Sequence, residues 1–242
     1  MLNFLRTMSI KNKIKTLSFF PLVFIIGMSF YIHMNLYNKQ SKLVDVKEII
    51  DLNERISLLL HETQKERGIT SAFLGTKGAK FKDTLITQKE LTNKNIEEFK
   101  KTINKISVEK YPENGKNLID NVLKELSSIQ NIRSDVDSLA IDAKKAIAYY
   151  TDLNATLLSF VALTSTIADS ESTIKSIIAY YNFLMAKERA GIERAVGSNT
   201  FASKTFASGM FVKYIGLVNE QKIFFDAFFM YVGENKTKKK KK

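Results

Sequence analysis

Residues 49–75 read IIDLNERISLLLHETQKERGITSAFLG, and this stretch decides the fold. Ile49, Leu52, Ile56, Leu59, Leu60, Thr63, Thr70 and Leu74 recur at steps of three and four, the period of one helix face. Gly75-Thr76-Lys77-Gly78 supplies the stop and the turn. One residue breaks the stripe. Arg67 lies seven after Leu60, four after Thr63 and seven before Leu74, so it points where the apolar residues point.

Downstream the same period continues. A second helix carries Phe81, Leu85, Ile96, Phe99, Ile103 and Ile106 and ends near Tyr111-Pro112; a third starts after Pro112 and runs through Leu118, Val122, Leu126, Ile129, Ile132, Val136 and Leu139. A fourth covers about Asp142 to Ala168, a fifth about Glu171 to Val196, and a sixth about Thr205 to Tyr231 after a loop from Gly197 to Ser203. Two prolines and ten glycines in 242 residues leave few breaks, which disfavours all-β and doubly wound α/β folds. The expected fold is all-α, an antiparallel helical bundle.

Upstream, Thr16 to Asn38 contains no Asp, Glu, Lys or Arg and is apolar on every side. At ~1.5 Å per residue it spans the ~30 Å core of a bilayer. No Ala-x-Ala cleavage pattern follows, so the segment reads as an uncleaved single-pass anchor, kinked at Pro21. Arg6, Lys11, Lys13 and Lys15 precede it without an acid, which sets the N-terminus inside and residues from about 39 outside, in the periplasm of a Gram-negative inner membrane. The domains expected are therefore a basic segment 1–15, a membrane helix 16–38, an outer helical domain 39–235 and a Lys-rich tail 236–242.

The net charge of +12 belongs to the ends. Residues 1–15 carry +4 and residues 236–242 carry +6, which leaves +2 for the body. With no zinc-finger spacing and no basic stripe interleaved with aromatics, no nucleic-acid partner is expected. The terminal Lys run reads as a solvated tail, and as the translation of an A-rich, out-of-frame stretch it would place the natural end further on. The chain has no Cys, which excludes thiolate metal sites and thiol nucleophiles, and His61-Glu62 lacks the second imidazole of a zinc-protease motif because Lys65 stands in its place. No enzymatic activity and no cofactor are expected.

The break at Arg67 has a counterpart. Gln64-Lys65-Glu66-Arg67-Gly68-Ile69-Thr70-Ser71 is echoed by Ala186-Lys187-Glu188-Arg189-Ala190-Gly191-Ile192-Glu193-Arg194. Arg189 lies four after Met185 and three before Ile192, on the buried stripe; Arg194 lies about 200° round from Ile192, within reach of a neighbouring helix. A desolvated arginine must be paired. One solution is internal: Arg67 with Glu188, and Arg189 with Glu66 or Glu193. The other leaves the guanidinium forks facing a cavity, where a planar oxyanion completes the pairing. The small residues Gly68, Ser71, Ala190 and Gly191 would let helices approach and shape such a pocket.

These two segments, with Ser71-Ala72-Phe73-Leu74 after the first and Ser198-Asn199-Thr200-Phe201 after the second, resemble the nitrate- and nitrite-sensing domain of bacterial chemoreceptors, histidine kinases, cyclic-dinucleotide enzymes and some antiterminators. The resemblance covers about Lys39 to Tyr231. It implies two stacked four-helix bundles, nitrate or nitrite held by Arg67, Arg189 and Arg194, and a layout like that of receptor ectodomains that dimerise. Glu66, Gly68, Ser71, Glu188 and Gly191, beside these arginines in the motifs, are expected in support, and a homodimer or a pairing with a full-length receptor is expected. It implies a signal-transduction input, as in chemotaxis, for which no output module follows here. The alternative is a tethered interaction or dimerisation protein without a small ligand.

Overall fold

A computed structural model describes residues 9–106, 109, 111–168, 170–206 and 208–239. Arg6 and Lys240 to Lys242, which contribute to the expected basic ends, lie outside the described residues. The chain divides into two compact units, Met1–Lys47 and Glu48–Lys242.

Six α-helices account for the described residues: α1 Ile10–Gly75, α2 Lys82–Ile103, α3 Glu113–Asp137, α4 Ala143–Thr164, α5 Glu171–Ser203 and α6 Met210–Lys239. The local reasons are legible. Pro112 stands at the N-cap of α3, where its missing N–H is harmless. Asp142 caps α4 by accepting from the Lys145 backbone N–H, and Ser170 caps α5 by accepting from that of Thr173. After α1 the chain reverses through Gly78, whose φ of 78° lies in the left-handed region.

In the first unit, Ile10–Tyr37 is long and apolar enough to cross a membrane, and it buries nothing against the protein. Pro21 sits inside the helix without ending it. Ala143–Thr164 passes the same test of length and apolarity, but 44% of it is buried within the protein. It is a core helix.

In the second unit one apolar core draws on α1 (Leu52, Ile56, Leu59, Leu60), α2 (Ile96, Phe99, Ile103), α3 (Ile119, Val122, Leu126, Ile129) and α4 (Tyr150, Leu153, Leu157, Val161), with Leu184 from α5. A second cluster joins Phe73 near the end of α1, Leu85 near the start of α2, Val136 near the end of α3 and Ala146 near the start of α4. Most of the stripe residues that the sequence predicts for α1, α2 and α3 meet here, but Phe81 and Leu139, at the ends of their stripes, are exposed.

α5 and α6 form an antiparallel pair: Phe183 faces Phe228 with ring centroids 5.7 Å apart, Gln221 donates to Glu193 over 2.7 Å, and Tyr214 lies against Gly197. Here the sequence expectation needs correcting. The predicted loop Gly197 to Ser203 is helix, and α5 ends only at Lys204 in the left-handed conformation. A Cβ at Gly197 would lie 3.6 Å from the Tyr214 ring, so the glycine sits at a helix contact rather than at a turn. α6 starts at Met210, not Thr205, and continues to Lys239, into the segment expected to be a tail.

Candidate functional site

The sequence neighbours Glu66 and Arg67 project to different surroundings, as a step of about 100° round the helix requires. Glu66 is fully buried. Its carboxylate accepts from Arg133 Nε at 2.7 Å and Arg133 Nη2 at 2.8 Å, a bidentate pair, and from the Tyr150 hydroxyl at 2.7 Å. Arg133 also donates to Asn93 Oδ1. Burial alone would lower the pKa of Arg133, but the Glu66 carboxylate outweighs it and the value is raised. Burial and the Glu66 charge push the Tyr150 phenol up, so it stays a neutral donor. This is a closed network with every partner supplied by the protein. Glu66, expected to support an anion site, does not line the cleft described next.

Arg67 points to the α4–α5 side. Its Nη1 donates to Glu188 Oε1 and, over 3.1 Å, to Thr151 Oγ1. Glu188 is held in turn by Gln64 Nε2 at 2.6 Å and by Asn154 Nδ2 at 3.5 Å. Of the internal pairings open to the sequence, Arg67 with Glu188 is present. Arg189 pairs with neither Glu66 nor Glu193: its Nε lies 2.7 Å from Glu220 Oε2 on α6. Glu66 is occupied by Arg133 and Glu193 by Gln221, which leaves neither oriented toward Arg189.

Beside these pairs opens a cleft of about 900 Å³ between α1, α4, α5 and α6. Arg67, Arg189 and Arg194 all line it, with Gly68, Ser71 and Gly191 from the supporting set and Lys213 and Glu220 from α6. Gly191 has a geometric reason to be glycine: a Cβ there would lie 3.2 Å from Arg67 Nη2. Gly68 has none of that kind, since a Cβ there would meet nothing within 4 Å. It opens the cleft wall rather than bringing helices together. Arg194 is exposed and makes no ion pair with any described residue.

Several of these partners escape the sequence reading. Arg133 carries the signal that exposes Arg67, since it lies four after Ile129 and three before Val136 on a buried stripe. Thr151, Asn154, Lys213 and Glu220 carry none, because polar residues on helices look alike until their neighbours are known. No group of metal-ligating side chains occurs among the described residues.

Comparison with solved structures gives a likeness to a chain described as the NasR transcription antiterminator, with a TM-score of 0.75 and 21% identity over 85% of this chain. At that identity the likeness shows the fold, and the match spans 56% of that chain's length. No curated protein sequence matches the chain. The family model for nitrate and nitrite sensing matches residues 58–238, a span that contains both arginine motifs and the whole cleft, and the chain belongs to that family.

Proposed function

We propose that the chain is a membrane-anchored sensor module whose cleft binds a small planar oxyanion, nitrate or nitrite, through Arg67, Arg189 and Arg194. The observation that carries this reading is that three arginines from two separate motifs line one cleft. Arg67 uses Nη1 on Glu188 and Thr151, which leaves its Nη2 edge, beside Gly191, for an anion. A guanidinium edge offers two parallel N–H donors to the two oxygens of a planar anion. Gly68, Ser71 and Gly191 keep the wall low enough for the anion to reach them, while Glu188 fixes the Arg67 fork in place.

In this reading Ile10–Tyr37 is the anchor, with the N-terminus cytoplasmic and the sensor domain periplasmic, supported by Lys11, Lys13 and Lys15 before the apolar run. An anion bound beside Arg67 would bias how α1 packs in the bundle, and that change of packing is the signal in this reading. Two stacked bundles would require long helices such as α5, at 33 residues, to serve both layers. Signalling as a homodimer or beside a full-length receptor belongs to the same proposal.

The test is thermal unfolding of the full chain in detergent with nitrate, nitrite, chloride or sulfate. Nitrate at a hundred times its Kd should stabilise by about 2.7 kcal/mol, a rise of roughly 5–10 °C, and Arg67→Ala with Arg189→Ala should abolish it. The Arg67–Glu188 pair favours a second reading, a ligand-free interaction module with its arginine satisfied internally. That reading expects no anion-specific shift and a large loss of stability in Arg67→Ala.

A further inference from the structure

We propose that Glu220 is the resident counter-ion of this site: its carboxylate holds the position at Arg189 that an incoming planar anion takes, so binding exchanges a protein carboxylate for the ligand across the α5–α6 pair. This rests on the oxyanion reading of the cleft and adds to it a residue on an element that neither arginine motif contains.

Two carboxylates face the cleft arginines, and they differ in how easily they can leave. Glu188 is 4% exposed and accepts from Arg67, Gln64 and Asn154, so withdrawing it would strand three donors inside the protein. The Glu220 side chain is 48% exposed and the Arg189 side chain 30%. Although Arg189 Nε lies 2.7 Å from Glu220 Oε2, the contact is off-axis, and that buried Nε is left without a directed hydrogen bond. Hydrogen bonds weaken steeply with misalignment, and ion pairs open to water contribute little. Glu220 can therefore swing into solvent at small cost, while a free anion can settle in the guanidinium plane and give Nε the bond it lacks.

The neighbouring contacts make the exchange local. Glu193, one helical turn beyond Arg189, accepts from Gln221 and holds α5 and α6 in register when the adjacent pair opens. Lys213, two turns before Glu220 on α6, lines the same cleft, so α6 keeps a cation toward the site after its carboxylate has left. A monoanion suits this exchange, since it replaces a single carboxylate charge.

The experiment is a calorimetric nitrate titration of the full chain in detergent, for wild type, Glu220→Gln and Glu220→Ala. Removing the competitor should tighten nitrate binding about two- to five-fold in both variants, the range set by an exposed ion pair. A residue that merely braced α6 would weaken binding when lost. Unchanged or weaker affinity in both variants, with wild type binding nitrate, overturns the exchange and leaves the sensor reading standing. Absence of nitrate binding in all three overturns both.

Discussion

Arg133 is tied to Glu66 by two parallel hydrogen bonds in a site that water does not reach, and Tyr150 completes the carboxylate's shell. Removing one partner strands a buried charge, so Arg133→Ala should lower stability by about 3–5 kcal/mol in urea unfolding, while the double change Glu66→Gln, Arg133→Met should recover most of it. At Gly191 the expected effect is on binding. A side chain there meets Arg67 Nη2, so Gly191→Val should weaken nitrate binding at least ten-fold and move the melting temperature in nitrate-free buffer by no more than a few degrees. His61 gives a pH signature. Its Nδ1 lies 3.2 Å from Lys187 Nζ, and burial, with the Lys187 charge, lowers its pKa below 6.5. Since the unfolded chain then binds the proton more readily, stability should fall as pH drops below 6.5 toward the folded value. Glu62 opposes this shift and Lys65 adds to it. His61→Gln should flatten that slope, a difference of about a degree or two in melting temperature between pH 7 and pH 5.

Among the elements, α4 and the first part of α1 show why apolarity alone does not define a membrane helix. Both are long and apolar enough to span a membrane, yet Phe160, Leu157 and Tyr150 of α4 are fully enclosed, whereas Phe24, Ile25 and Phe30 of α1 are exposed. In the proposed reading, a helix apolar on every side with nothing packed on it takes lipid as its surroundings. Phe24→Lys with Ile25→Lys should therefore shift the chain from the membrane fraction to the soluble fraction in a flotation assay, each lysine costing about 2.5–3.5 kcal/mol of insertion. The α5–α6 pair is lightly cored by comparison. Leu217 is the buried apolar residue of α6 among those described, and Phe211, Ile223 and Phe229 are exposed. Leu217→Ala should cost about 2–4 kcal/mol and loosen this pair first, seen as faster amide exchange in α6 than in α3.

At the scale of the molecule, Ile56, Phe99 and Leu126 are identifiable from period alone and do form the common core, because a helix face is set by local spacing and needs no knowledge of its partner. The all-helical class and the stretch able to cross a membrane follow for the same reason, as sums over neighbouring residues. The repeated motifs also marked Arg67 and Arg189 as positions to watch, since a charge on an apolar stripe conflicts with its surroundings wherever the chain folds, and Arg194 followed from the motif alone. What only the tertiary structure decided is how each charge is answered: that Glu66 turns to Arg133, that Glu188 is claimed by Arg67, and that Arg189 meets Glu220 from another helix. It likewise carried α5 through Gly197, where Tyr214 covers the glycine. These ion pairs join residues 31 to 121 positions apart, and no local pattern encodes which of many similar carboxylates will arrive, because that depends on how the helices cross.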